Sequence, residues 1–113
     1  MRSFNEPILN GADASSNKNS VAIDSQNMSF ASVVVKMTGT AAGSVKIQAS
    51  NDEPTTSAGP NNWVDISGAT VSVSAAGTFI IPKLDICYNF IRVVYTFTSG
   101  TGTVTASLHM IGY

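Results

Sequence analysis

Val45, Ile47 and Ala49 alternate with Lys46, Gln48 and Ser50, and Val104, Ala106, Leu108 and Met110 alternate in the same way with Thr105, Ser107 and His109. A strand turns successive side chains to opposite faces, so each segment predicts a β-strand with one dry and one wet face. No stretch keeps a helical period over several turns; residues 24–28 have room for one short turn. A chain patterned in this way must hide its dry faces by laying sheet on sheet.

Further strand-like runs are Val21 to Asp24, Phe30 to Met37, Asn62 to Ile66, Thr70 to Ser74, Thr78 to Ile81 and Tyr88 to Phe97. Together with the two alternating segments they make about eight strands. Tyr88 to Phe97 is apolar on both sides apart from Asn89, Arg92 and Thr96, which predicts a central strand covered on both faces. Thr38-Gly39-Thr40-Ala41-Ala42-Gly43 and Thr98-Ser99-Gly100-Thr101-Gly102 place glycine between consecutive runs, where a hairpin needs positive φ. Residues 51–61 form the longest interior loop, and Pro54 and Pro60 keep it out of a paired strand. The expected fold is all-β: a two-sheet antiparallel β-sandwich, jelly-roll-like, with an extended N-terminal arm. The arm spans residues 1–19 and the single sandwich domain residues 20–113, because the first segment holds only Phe4, Ile8 and Leu9 as an apolar group and shows no period. Such an arm reads either as a mobile terminus or as a clasp on a neighbouring subunit; under the second reading, loss of residues up to about Asn10 is expected to weaken assembly without unfolding the sandwich.

Composition narrows the function classes. At 113 residues the chain supports one core. Charged residues are 12% and hydrophobic residues 43%, so a disordered chain is excluded. The net charge is −1 and the cations Arg2, Lys18, Lys36, Lys46, Lys83 and Arg92 are scattered, which argues against nucleic-acid binding. No apolar run approaches the length of a membrane helix, and residues 1–7 lack the apolar centre of a signal peptide, so synthesis in the cytoplasm is expected. Cys87 is the lone cysteine, which rules out an intrachain disulfide and predicts a small buried apolar side chain.

No set of residues converges on catalysis, and no cofactor or metal site is expected. His109, the single histidine, falls on the wet face of its strand with no partner singled out by the sequence. Seven carboxylates are spread along the chain, and Asp52 and Glu53 fit a turn better than a calcium loop. Trp63 enters its strand beside Asn61 and Asn62. It reads either as a plug under the long loop or as a stacking platform for a sugar, with Asn61, Asn62 and Asp65 as hydrogen-bonding neighbours. Arg92, inside an apolar strand, is expected to pair with a carboxylate or a loop carbonyl.

Gly43-Ser44-Val45-Lys46-Ile47-Gln48-Ala49-Ser50-Asn51-Asp52, Asn62-Trp63-Val64-Asp65-Ile66, Phe90-Ile91-Arg92-Val93-Val94-Tyr95 and Ser99-Gly100-Thr101-Gly102-Thr103-Val104 together resemble small β-sandwich proteins among the virion genes of tailed bacteriophages. The resemblance implies a capsid decoration, head-fibre or tail-associated subunit, residing in the virion. Its partners would be other copies of itself, a trimer above all, and other virion proteins. Under that reading Phe4, Ile8 and Leu9 are the candidate subunit contacts. Ser50-Asn51-Asp52, Trp63 and Ile91-Arg92-Val93 also resemble, in outline, discoidin-like carbohydrate-binding domains, which are longer and often disulfide-closed. That second resemblance implies an adhesion module binding a host glycan through Trp63, Asn61, Asn62 and Asp65.

Overall fold

A computed structural model describes residues 2–26, 28–51 and 62–112. Nine strands are present among the described residues: β1 (Arg2–Asp13), β2 (Lys18–Asn19), β3 (Ile23–Asp24), β4 (Phe30–Gly39), β5 (Ala42–Ser50), β6 (Val64–Ser74), β7 (Gly77–Asp85), β8 (Phe90–Ser99) and β9 (Gly102–Gly112). One sheet has the order β1-β9-β4-β7; the other runs β2-β8-β5-β6, with β3 also pairing β8. β2 and β3 lie along the same neighbour and act as one interrupted strand. Counted so, the eight strands alternate between sheets except at the β5–β6 hairpin, in the order of two interlocked Greek keys, and every pairing is antiparallel. That is the jelly-roll form of the β-sandwich.

The core forms where the dry faces meet. Val33, Val35 and Met37 of β4 and Val104, Ala106, Leu108 and Met110 of β9 line one side; Val45 and Ile47 of β5 and Ile91, Val93 and Tyr95 of β8 line the other, all buried. Each belongs to one parity of its strand, so the two-residue period of the sequence fixes the inner face directly. β8 departs from expectation. Only Ile91, Val93 and Tyr95 are buried, while Phe90, Arg92 and Val94 on the opposite parity are half-exposed, so the strand is central but covered on one side.

Two polar anchors hold the sandwich at its β2 side. The break between β2 and β3 is closed by Ser20, whose backbone N–H donates to the Val93 carbonyl at 2.8 Å and whose hydroxyl accepts from the Val93 N–H at 2.9 Å. Tyr95 is fully buried, and its hydroxyl donates to the carbonyl of Ala14 at 2.8 Å. Ala14 in turn donates its N–H to Gly102, so the phenol ties the end of β1 and the start of β9 to a strand of the opposite sheet. Burial raises the Tyr95 pKa, which keeps the hydroxyl protonated and donating.

The expected N-terminal arm is extended but is not an arm. β1 pairs with β9 from Arg2↔Gly112 to Asp13↔Thr103, Leu9 is in the core, and Phe4 and Ile8 pack against it. The register shifts between Pro7 and Leu9 and again between Leu9 and Ala12. Each bulge reverses parity, so Phe4, Leu9 and Ala12 sit opposite the buried Met110, Ala106 and Val104 although their spacing obeys no single period. The candidate subunit contacts Phe4, Ile8 and Leu9 are therefore intramolecular contacts, and residues 2–19 belong to the sandwich. Asn62 to Ile66 and Thr70 to Ser74 fuse into one bulged strand, β6, in which Gly68 has a φ of 79°.

Two stability effects follow. Leu9→Ala should lower unfolding free energy by about 2–3 kcal/mol through the lost apolar burial and the void left behind. Urea melts of the purified chain would read this; an unchanged midpoint would return residues 1–19 to the status of an arm. Tyr95→Phe should cost about 1–2 kcal/mol, because the Ala14 carbonyl is left without its donor in a dry setting, with a shifted urea midpoint and an unaltered slope as the signature.

Candidate functional site

The outer face of the five-stranded sheet gathers the polar side chains. Residues directly opposite in an antiparallel pair share a face, and Gln48 of β5 lies opposite both Asp65 of β6 and Arg92 of β8. The three form a cross-strand row. Arg92 donates from Nε to Gln48 Oε1 at 2.9 Å, and Gln48 donates from Nε2 to Asp65 Oδ1 at 2.8 Å. Lys46, one step along β5 on the same face, donates from Nζ to Asp65 Oδ2 at 3.1 Å. Above the row the Arg92 guanidinium lies 4.5 Å from the centre of the Trp63 ring, a cation–π contact.

The chain of donors has a direction. Asp65 is the terminal acceptor, and the hydrogen bond from Gln48, then that from Lys46, holds its carboxyl below the ordinary carboxylate value. Gln48 has its amide oriented by having an acceptor on one side and a donor on the other. Arg92 is half-buried; burial lowers its pKa, yet a guanidinium stays charged at any physiological pH. Expected to meet a carboxylate or a loop carbonyl, Arg92 instead meets an amide oxygen and an aromatic face. The reason is that Gln48 stands between it and Asp65 in the row.

Of the glycan contacts foreseen from the sequence, Trp63 and Asp65 are brought to this face together. Asn62 is exposed and lines a cleft of about 210 Å³ with Ser50, Asn51, Val64, Asp65, Ile66 and Tyr88 at the adjoining end of the sandwich. Asn61, together with Asp52 and Glu53 of the calcium alternative, lies outside the described residues. Trp63 is half-buried rather than a core plug. Lys46 and Gln48 are the functional residues that sequence reasoning passed over; their place on the wet parity of β5 was legible, but their partners depend on register.

Elsewhere, His109 is exposed on the outer face of the four-stranded sheet, as its parity predicted, in a shallow depression with Phe30, Ala31, Ser32 and Ile111. Cys87 is exposed, which corrects the expectation of burial. It lies past the end of β7, where the alternation that would have placed it inside no longer operates.

No protein-family model matches the sequence, and comparison with curated proteins gives no match. Among solved structures the chain is similar to the PBSX exported protein XepA, with a TM-score of 0.75 and 14% identity over 97% of this chain and 37% of that one. It is similar to the SPBc2 prophage-derived protein YomS, with a TM-score of 0.52 and 14% identity over 97% of this chain and 95% of YomS. A third likeness is to a chain of the T13 infectious bursal disease virus particle IBDV, at a TM-score of 0.53 and 14% identity over 98% of this chain and 31% of that chain. The chain thus spans little over a third of XepA and nearly all of YomS. At these identities the likeness is one of fold.

The order of the polar row makes a checkable statement about charge. A carboxyl with a depressed folded pKa adds stability that is present above its unfolded pKa and lost as pH falls through the lowered folded value. Gln48→Leu removes the larger cause, so Asp65 should titrate at higher pH, closer to its ordinary value. An NMR titration of the side-chain carboxyl carbons reads this, and an unmoved Asp65 curve would mean that Gln48 does not hold it.

Proposed function

We propose that the chain is a structural β-sandwich subunit of a bacteriophage particle, a capsid decoration or head- or tail-associated protein, working by self-association and docking rather than by catalysis. The observation that carries the reading is the jelly-roll likeness to prophage proteins, extending over nearly the full length of both chains for YomS. The outer face of the four-stranded sheet supports it. There Pro7, Ser107, Val34 and Ile80 form one row across all four strands, with Asn5, His109 and Ser32 in the next row and Ile111 and Phe30 beyond it. Ile80 is 59% exposed.

Contacts of this subunit run through faces rather than through the N-terminal segment, which is committed to β9. Light scattering at low and high concentration should give a discrete homo-oligomer, a trimer foremost, and Ile80→Glu should reduce it to monomer while leaving the unfolding free energy within about 0.5 kcal/mol of the parent, as for a surface change. A wild-type chain that is monomeric at every concentration would remove self-association from the reading.

A second reading, a glycan-binding adhesion module, is favoured by one observation: Trp63 and Asp65 share an outward face with Arg92, Gln48 and Lys46. An aromatic ring flanked by oriented polar groups on an open sheet is the kind of surface that holds a sugar.

A further inference from the structure

Arg92 changes what this face can recognise. With the guanidinium stacked on Trp63 at 4.5 Å, one face of the indole is taken, and the ring serves to hold the arginine as much as to receive a ligand. Nε is spent on Gln48. The two Nη groups form the outer edge of a fork whose plane is set by the ring beneath it and whose rotation is set by Gln48. A guanidinium held in this way is preorganised for two parallel hydrogen bonds to a planar oxyanion.

The charges around it leave that edge available. On the same face Asp65 is engaged by Lys46 and Gln48, and Asp24, opposite Phe90 on β3, accepts from the Gln26 N–H at 2.9 Å. Among the described residues the ion pair found is Lys46–Asp65, and none of their carboxylates pairs with Arg92. A half-buried cation with no carboxylate paired to it among those residues favours an anionic ligand.

The rest of the face indicates what carries the anion. Ser44, Thr96 and Ser72 form a hydroxyl row across β5, β8 and β6, and Thr70 lies opposite Lys46. Thr96, Ser72 and Thr70 are exposed. This is a flat, hydroxyl-rich strip, able to exchange hydrogen bonds with sugar hydroxyls; it has neither the apolar groove of a peptide site nor the basic stripe of a nucleic-acid site. We infer that the outer face of the five-stranded sheet binds a carboxylate-bearing saccharide, with Arg92 as the bidentate anion contact, Trp63 and Gln48 as its positioning residues, and the Ser44–Thr96–Ser72 row along the sugar chain. The inference rests on the glycan-binding reading and sharpens it from sugars in general to acidic ones.

Trp63 is the single tryptophan, so its emission reports on the site directly. The full chain would be titrated with oligogalacturonate, with its methyl ester and with inorganic phosphate. Oligogalacturonate should change Trp63 emission with a Kd of about 1 mM or tighter, and the ester should bind at least about tenfold more weakly, a difference of about 1.4 kcal/mol. Arg92→Lys, which keeps the charge but loses the fork, should weaken the acid by a similar factor with an unchanged circular dichroism spectrum; should that variant misfold, Gln48→Leu tests the same fork through its orientation. Equal binding of acid and ester would overturn the anion contact while sustaining the glycan reading. Phosphate binding as tight as the oligosaccharide would overturn the saccharide assignment, and silence towards all three probes would overturn the site.

Discussion

The sandwich depends on the fit between the inner faces of β4 and β9 and those of β5 and β8. Val33, Val35, Leu108 and Met110 face Val45, Ile47, Ile91, Val93 and Tyr95, and together they are the dry centre against which everything else is placed. The polar atom that Tyr95 brings into this setting, its hydroxyl, has its acceptor supplied by Ala14. Fixing the inner parity fixes the outer one. Lys46, Gln48 and Arg92 are outward because Val45, Ile47, Ile91 and Val93 are inward, and the cross-strand register then brings them into one row.

The same structure constrains how copies can meet. A sandwich has four edges, and each here is interrupted. β1 carries Pro7 and two register shifts, β7 carries Pro82 within a shift opposite Ser32, β6 is bulged around Gly68, and the strand formed by β2 and β3 is broken at Ser20. Interrupted edges do not offer an uninterrupted ladder to a neighbour. Prolines and bulges guard these edges together, and the bulges become visible only once strands are paired. Under the proposed self-association, contacts between copies would fall on the sheet faces.

What was legible in the sequence and what was not divides along this line. β5 and β9 could be read residue by residue, because strict alternation survives where a strand lies in the middle of its sheet, with a partner on each side. β1 could not, since one bulge shifts Leu9 out of phase with Phe4, a second shifts Ala12 out of phase with Leu9, and together they erase the period that identifies a strand. β8 was recognised but credited with a second buried face, because Phe90 and Val94 look like core residues; they flank Arg92 on the half-exposed side. At the candidate site, Trp63 and Asp65 stood out by type. The row joining Asp65 through Gln48 to Arg92 did not, as it crosses three strands whose pairing no local pattern encodes. Register is a property of the closed sandwich, and so was the most informative contact of the molecule.

The particle-subunit and glycan-binding proposals do not compete for the same surface. The four-stranded sheet turns Val34, Ile80, Phe30 and Ile111 outward, and the five-stranded sheet turns out Lys46, Gln48, Asp65, Arg92 and the hydroxyl row. The first surface mixes apolar side chains with Ser32, Ser107 and His109, the second is mainly polar, and the dry core of the sandwich separates them. A subunit seated by its four-stranded sheet would direct its five-stranded sheet away from the support, and repeated copies would present many such faces at once. Multivalency then matters more than the strength of a single contact, because a weak individual site becomes an avid one when linked copies engage together. An open sheet face with one oriented arginine is suited to that regime, since it costs the fold little to maintain and is repeated with every subunit.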